Sequence, residues 1–119
     1  MRNILIVDDQ RGIRLLLEEV LLKEGYHVDQ ASNGIEALKI LEVQEIDCVL
    51  LDLKIPGMNG LEILKKIREM NLTIPVFMMT ALDGQEVKEQ AKDLEIENCF
   101  TKPFNIFDII HEVNRVLKK

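Results

Sequence analysis

Regular alternation between two kinds of segment constrains the fold of this chain more than any other feature. Short runs rich in β-branched and other apolar residues are each followed by a segment with helical periodicity. Strands are predicted at 3–7, 26–31, 48–51, 75–79 and 98–101. Such alternation is typical of a parallel sheet covered by helices on both faces. We therefore predict an α/β fold, a doubly wound five-stranded parallel sheet in the flavodoxin-like strand order 2-1-3-4-5.

Helices are predicted over 11–24 and 34–43, from residue 60 or 61 onward, over 84–94, and after Asn105. Gly25 ends the first helix, as glycine often does at the C′ position. The chain has 119 residues, which is enough for one hydrophobic core, and no linker or internal repeat divides it. We expect a single domain over 1–119 with no output domain.

Composition and charge exclude several classes of protein. Apolar residues make up 47% and charged residues 30% of the chain, as in globular proteins. No apolar run approaches the roughly 20 residues of a membrane span, and the start resembles no signal peptide, so a cytoplasmic protein without a membrane partner is expected. The net charge of −6 argues against nucleic-acid binding. Cys48 and Cys99 lack metal-site spacing and are predicted to be buried free thiols.

Polar residues stand at the carboxyl ends of four predicted strands. The apolar run 48–51 ends in Asp52, and Asp8 and Asp9 follow the first strand. Thr80 and Lys102 follow the fourth and fifth strands. Open α/β sheets bind ligands at the carboxyl edge, where the order of the strands reverses. The predicted order makes strands one and three neighbours, so these residues are expected to converge on one cleft.

The residue types in this cleft indicate phosphoryl transfer. Clustered carboxylates repel one another and attract a cation, and hard oxygen ligands suit Mg²⁺. Without histidine or thiolate in the set, zinc and copper are disfavoured. Lys102 supplies a positive charge and Thr80 a hydroxyl, as phosphoryl transfer requires. The central carboxylate, Asp52, can act as the nucleophile and form an aspartyl phosphate.

Each of these residues also has a purely structural explanation. Asp8 and Asp9 could cap the first helix, Asp52 could keep a strand end soluble, and Lys102 could be a surface lysine before a turn. Threonine is common at strand ends, so Thr80 is the weakest single signal. It is the combination that favours a functional site.

The motifs Asp8-Asp9, Asp52, Pro56-Gly57, Thr80-Ala81 and Lys102-Pro103-Phe104 resemble the receiver domain of bacterial two-component response regulators. The resemblance covers the entire chain. Four segments further resemble the single-domain regulators of a sporulation phosphorelay. They are 4–10, 12–14, 23–26 and 50–58.

The resemblance implies a role for each motif residue. Asp52 would accept a phosphoryl group from a phosphohistidine. Asp9, Asp52 and the backbone carbonyl of Lys54 would bind Mg²⁺ directly and Asp8 through water, and Mn²⁺ or Ca²⁺ would substitute. Thr80 would bind the phosphoryl group, Lys102 would pair with Asp52, and the peptide bond after Lys102 would be cis.

One departure concerns the residue three positions before the lysine. Receivers usually carry a rotating Tyr, Phe or His there, whereas this chain carries Cys99, followed by Phe100. The departure disfavours an aromatic switch that drives an output, and a regulator that only relays phosphate needs such a switch less.

The first turn of the first helix is expected to dock the phosphoryl donor, because a histidine-bearing helix must lie over Asp52. The predicted partner surface comprises Gln10, Gly12, Ile13, Leu16, Pro56, Leu82, Pro103 and Phe104. Lys54 and Leu82 are further expected to hinder hydrolytic water.

Three functions follow from the sequence. The resemblance favours a monomeric relay between a sensor histidine kinase and a histidine phosphotransferase, controlling sporulation. The alternative is a chemotaxis-type regulator whose phosphorylated form binds a target protein. A metal-dependent phosphatase acting on small molecules is the weakest candidate, because no substrate-pocket motif is present.

Overall fold

A parallel sheet of five strands lies at the centre of the computed structural model, which describes residues 2–55, 57–81 and 84–118. The strand order β2-β1-β3-β4-β5 confirms the predicted α/β topology. The strands are β1 (Asn3–Val7), β2 (His27–Ala31), β3 (Cys48–Asp52), β4 (Val76–Thr80) and β5 (Asn98–Thr101). The helices are α1 (Arg11–Lys23), α2 (Gly34–Val43), α3 (Gly60–Glu69), α4 (Gly84–Gln90) and α5 (Ile106–Leu117).

The two faces of the sheet bury separate apolar clusters. Alternate residues of each strand point to opposite faces, so Leu5 and Ile6 of β1 belong to different clusters. One cluster, the α1/α5 core, packs the sheet against α1 and α5. The other, the α2–α4 core, packs it against α2, α3 and α4. β3 lies in the middle of the sheet and is buried along its whole length, so Asp52 is delivered to the carboxyl edge from a fully buried strand.

The fourth helix differs from its prediction over 84–94. The α-helix ends at Gln90, and Lys92–Leu94 forms a separate 3-10 turn. The Arg68 side chain of α3 donates hydrogen bonds to the carbonyls of Leu94 and Glu95, at 2.8 and 3.0 Å. Glu95 adopts a left-handed conformation with φ of 56°. Contact with α3 therefore holds the carbonyls at the end of the 3-10 turn, and no local pattern in the sequence predicts this contact.

Helix α1 presents a slightly different face to the core than its periodicity predicts. Leu17 and Leu21 are fully buried. The spacing of four apolar residues in the sequence predicts that they share this buried face: Ile13, Leu16, Leu17 and Val20. Leu16 is nevertheless 45% exposed, because successive helical residues are rotated by about 100°. That part of the prediction was wrong.

Both cysteines are free. Cys48 is buried and Cys99 half-buried, and burial raises the pKa of each thiol. Within the described ranges, no helix has the length and apolar character needed to cross a membrane.

Candidate functional site

Backbone hydrogen bonds hold the strand ends together at the carboxyl edge of the sheet. The Leu53 N–H donates to the Met79 carbonyl (2.9 Å), and the Lys102 N–H donates to the Thr80 carbonyl (2.6 Å). The loops that leave β3, β4 and β5 therefore start side by side. The Lys102–Pro103 peptide bond is cis, as the resemblance implies.

Three carboxylates meet at this edge. Asp8, Asp9 and Asp52 each offer an oxygen, and these oxygens lie within 4.8 Å of one another. Asp8 is fully buried and Asp52 is 5% exposed, whereas Asp9 is exposed. Neither Asp8 nor Asp9 is the N-cap of α1. That position is Gln10, whose backbone N–H donates to Asp8 Oδ1 at 2.9 Å. The helix-capping explanation therefore fails.

Lys102 is the cation of the cluster. Its Nζ lies 2.9 Å from Asp8 Oδ2 and 3.5 Å from Asp52 Oδ1. It also donates to Gln10 Oε1 at 3.2 Å. The predicted pairing with Asp52 is therefore present, but Asp8 is the closer partner. One ammonium group opposes three carboxylates, so this set of groups has an excess of negative charge when ionised.

Burial and the neighbouring negative charge make Asp52 harder to ionise. Burial and the neighbouring Asp8 carboxylate raise the pKa of Asp52 from 3.8 to about 6, against the lowering effect of Lys102. A divalent cation would relieve the same repulsion. The donor set fits one, because all three side chains offer hard oxygen atoms.

The cleft above these residues is small, about 250 Å³. Its lining residues are Asp9, Gln10, Asp52, Lys54, Ala81 and Lys102. Pockets for drug-sized ligands run from roughly 300 to 1,000 Å³ and are mostly apolar. This polar cleft suits a cation and a phosphoryl group better than a complete small-molecule substrate, so it disfavours the phosphatase candidate.

The remaining predicted residues are placed as follows. Thr80 is buried at the end of β4, and Lys54 is exposed beside the cleft. Of the predicted partner surface, Gly12 and Pro103 are exposed, and Ile13 and Phe104 are half-buried. Pro56 and Leu82 lie outside the described residues.

One residue gains importance that the sequence did not reveal. Arg14 of α1 donates to the backbone carbonyl of Asp8 at 2.7 Å. Its only sequence signal is its spacing, four residues after Gln10 and so on the same side of α1.

The comparison with protein families decides the classification. Residues 4–114 match the family described as response regulator receiver domain. The chain belongs to this family. The chain is 48% identical over 115 residues to sporulation initiation phosphotransferase F of Bacillus subtilis (strain 168). The alignment covers 97% of this chain and 93% of the relative.

Solved structures agree with this fold. The response regulator protein TrrA from Thermotoga maritima, in complex with Mg(2+)-BeF, is 35% identical with a TM-score of 0.87. The match covers 98% of this chain and 100% of that one. Chemotaxis protein CheY4 of Vibrio cholerae is 31% identical with a TM-score of 0.92, over 98% of this chain and 99% of that one.

The position of the usual receiver switch residue is also resolved. Cys99 is half-buried against the α2–α4 core. The adjacent Phe100 points to the other face of the sheet, where its ring centroid lies 5.7 Å from that of Phe77. Phe100 therefore does not occupy the place of the missing aromatic residue.

Proposed function

We propose that this receiver domain accepts a phosphoryl group from a sensor histidine kinase on Asp52, in a Mg²⁺-dependent reaction, and passes it to a histidine phosphotransferase. The relay would control sporulation. The observation that carries the proposal is the buried Asp52 carboxylate, 3.5 Å from the ammonium group of Lys102 and clustered with two further aspartates.

In the proposed transfer, an Asp52 carboxylate oxygen attacks the phosphorus of the donor phosphohistidine. A P–O bond forms while the P–N bond breaks, and the imidazole leaves with the electron pair of that bond. A cation held by Asp8, Asp9 and Asp52, with the Lys54 carbonyl, would neutralise charge on the phosphoryl oxygens. Lys102 would turn from Asp8 and Asp52 toward the phosphoryl group, and Thr80 would donate its hydroxyl. The second transfer is the reverse reaction with a different histidine.

The cleft also supports protein donors over small esters. Asp52 is 5% exposed, and the cleft above it measures about 250 Å³. Binding energy must therefore come from a surface beside the cleft. The first turn of α1 is suited to this role, because Ile13 and Leu16 expose apolar surface next to Gln10. A monomer would leave this surface open to both partners in turn.

Two observations favour the relay over the chemotaxis-type alternative. The identity of 48% to a relative named phosphotransferase exceeds the 31% identity to the chemotaxis protein. Cys99 also lacks the aromatic ring of a usual output switch. The CheY4 likeness keeps the alternative open, in which phosphorylated Asp52 changes the affinity for a target protein.

The test is a transfer experiment with ³²P. The protein is incubated with a purified phosphorylated histidine kinase and Mg²⁺, and a histidine phosphotransferase is then added. We expect label on the wild type, none on Asp52→Asn, and onward movement to the second histidine. Label that stays on Asp52 would favour the chemotaxis-type alternative. Absence of label in the wild type would contradict the assignment of Asp52.

A further inference from the structure

Arg14 lies outside the cleft but is bonded to its acidic corner. We propose that Arg14 is a positioning residue that fixes the Asp8–Asp9 pair for cation binding, an inference that rests on the metal site of the proposed function. Its Nη1 donates to the backbone carbonyl of Asp8 at 2.7 Å. That carbonyl belongs to the peptide group that joins Asp8 to Asp9, so the bond fixes the direction in which the Asp9 side chain leaves the backbone.

Asp9 depends on this backbone anchor more than its neighbours do. The Asp8 carboxylate accepts hydrogen bonds from the Gln10 N–H and from Lys102, at 2.9 Å each. Asp52 is the end of a central strand and pairs with Lys102. Asp9 is exposed, and no residue in the described ranges donates a hydrogen bond to its side chain. The orientation of its peptide group therefore constrains the direction of the Asp9 Cα–Cβ bond, and with it the space that the carboxylate can reach.

The guanidinium of Arg14 is itself held by a second chain of bonds. Its Nε donates to Gln30 Oε1 at 3.2 Å, and Gln30 Nε2 donates to Glu18 Oε2 at 2.6 Å. Gln30 belongs to β2, where it pairs with Ile6 of β1. The network thus connects α1 and β2 to the end of β1. Side chains from two elements therefore hold the peptide group between Asp8 and Asp9 in place.

Charge and geometry predict opposite effects when Arg14 is removed. A cation near three carboxylates competes electrostatically with Mg²⁺, so removing its charge alone would tighten Mg²⁺ binding. Losing the anchor would instead weaken binding, because residues that orient metal ligands commonly control affinity by about 10- to 100-fold. The sign of the change therefore distinguishes a positioning role from a general electrostatic one.

The experiment measures Mg²⁺ affinity directly on the unphosphorylated protein, by calorimetry or by amide chemical shifts. Arg14→Gln is expected to bind Mg²⁺ about tenfold more weakly than the wild type. Arg14→Lys retains the charge and one donor nitrogen, and should recover part of the lost Mg²⁺ affinity. Gln30→Met leaves Arg14 in place but loosens it, and should weaken binding by a smaller factor. Arg11→Gln removes an exposed arginine from the same helix and should bind as tightly as the wild type or slightly more tightly.

A phosphorylation assay with a small-molecule phosphodonor supplies the second readout. In Arg14→Gln, the Mg²⁺ concentration for half-maximal rate should rise, while the maximal rate at saturating Mg²⁺ stays near that of the wild type. A general folding defect would instead lower the unfolding temperature and would not raise the half-maximal Mg²⁺ concentration while leaving the maximal rate unchanged. Should Arg14→Gln fold poorly, Gln30→Met gives the same comparison.

The outcomes separate this inference from the function beneath it. If Arg14→Gln and Gln30→Met bind Mg²⁺ as tightly as the wild type, or more tightly, the positioning role of Arg14 is wrong but the proposed metal site is not. A wild type that binds no Mg²⁺ would overturn the proposed metal site and the positioning role with it. Weaker binding in both variants, with Arg11→Gln unaffected, would establish it.

Discussion

The ionised Asp52 side chain lowers the stability of the folded protein. The folded protein raises its pKa from 3.8 to about 6, chiefly through burial and the neighbouring Asp8. Each tenfold change in proton affinity corresponds to about 1.4 kcal/mol. An ionised Asp52 therefore destabilises the folded, metal-free protein by about 3 kcal/mol, a sizeable share of the roughly 5–15 kcal/mol of a typical domain.

The pH dependence of unfolding should expose this penalty. Because the pKa is raised in the folded state, the penalty is complete above pH 6, shrinks as the pH falls, and vanishes below the unfolded value of 3.8. In the presence of a chelator, Asp52→Asn should be more stable than the wild type by up to about 3 kcal/mol at pH 7. The two proteins should converge near pH 4. Denaturant unfolding measured at several pH values tests this.

The control for this comparison is Asp93→Asn, an exposed aspartate in the 3-10 turn. It should not reproduce the gain. Added Mg²⁺ should stabilise the wild type and narrow its difference from Asp52→Asn. A stability difference that is the same at pH 4 and pH 7 would contradict the electrostatic explanation.

Lys54 is expected to set the lifetime of the phosphorylated state. It is exposed beside the cleft, two residues after Asp52, where a long side chain can block water from an in-line approach to phosphorus. Lys54→Ala should shorten the half-life of the aspartyl phosphate by about two- to tenfold, equivalent to at most about 1.4 kcal/mol in the barrier. Loss of label over time gives the half-life. The control is Lys65→Ala, which removes an exposed lysine of α3. An unchanged half-life in Lys54→Ala would exclude the shielding role. The sequence predicts the same shortening of the half-life for Leu82→Ala.

At the scale of elements, the sequence predicted what depends on strand ends and missed what depends on contacts between elements. The convergence of Asp8, Asp52 and Lys102 follows from topology alone, since parallel strands share a carboxyl edge. The contact of Arg68 with the carbonyls of Leu94 and Glu95 and the anchor at Arg14 could not be predicted, because each depends on a side chain from another element reaching backbone carbonyls. Local periodicity carries no information about such bonds.

The junction between β3 and α3 is one of these contacts. The Gly60 N–H donates to the Leu53 carbonyl at 2.7 Å, so α3 starts directly against the end of β3. A Cβ at Gly60 would lie 2.5 Å from the Asp52 carbonyl oxygen and 2.7 Å from the Leu53 Cα. Backbone atoms cannot yield as a flexible side chain can, so only glycine fits this approach.

Gly60→Ala should therefore destabilise the protein and displace Asp52. We expect a loss of about 1–3 kcal/mol, the usual cost of overpacking, together with slower phosphorylation. Denaturant unfolding and labelling by a small-molecule phosphodonor measure the two effects. Gly12→Ala is the matched control, because nothing lies within 4 Å of a Cβ built there. A Gly60→Ala protein as stable as Gly12→Ala would mean that α3 can shift freely from the strand end.

At the scale of the whole molecule, the doubly wound arrangement separates support from chemistry. The α1/α5 core and the α2–α4 core hold the sheet from both sides, while the reacting groups all lie at one edge. Helix α1 belongs to both functions. Leu17 and Leu21 anchor it in the core, and its N-cap residue, Gln10, lines the cleft. Its exposed apolar residues are thus carried by a helix that is anchored in the core and starts at the cleft.

Docking of a protein donor can be separated from the chemistry of Asp52 by charge substitutions along α1. Ile13→Arg and Leu16→Arg should slow phosphotransfer from a histidine kinase, because an arginine would replace the apolar contact. Phosphorylation by a small-molecule donor needs no docking and should be unaffected. Leu16→Arg is the more conservative test, since Leu16 is already 45% exposed, whereas Ile13 also packs against the α1/α5 core.

Leu22→Arg provides a matched control on the same helix. Leu22 is 50% exposed, but it lies six residues beyond Leu16, about 9 Å further from the cleft along the helix axis. It should therefore leave both reactions intact. Equal loss of kinase-dependent and small-molecule phosphorylation in Leu16→Arg would mean that the site itself was damaged. Equal slowing by Leu22→Arg would contradict docking at the start of α1, because Leu22 is further from the cleft and is rotated by about 120° from Leu16 around the helix axis.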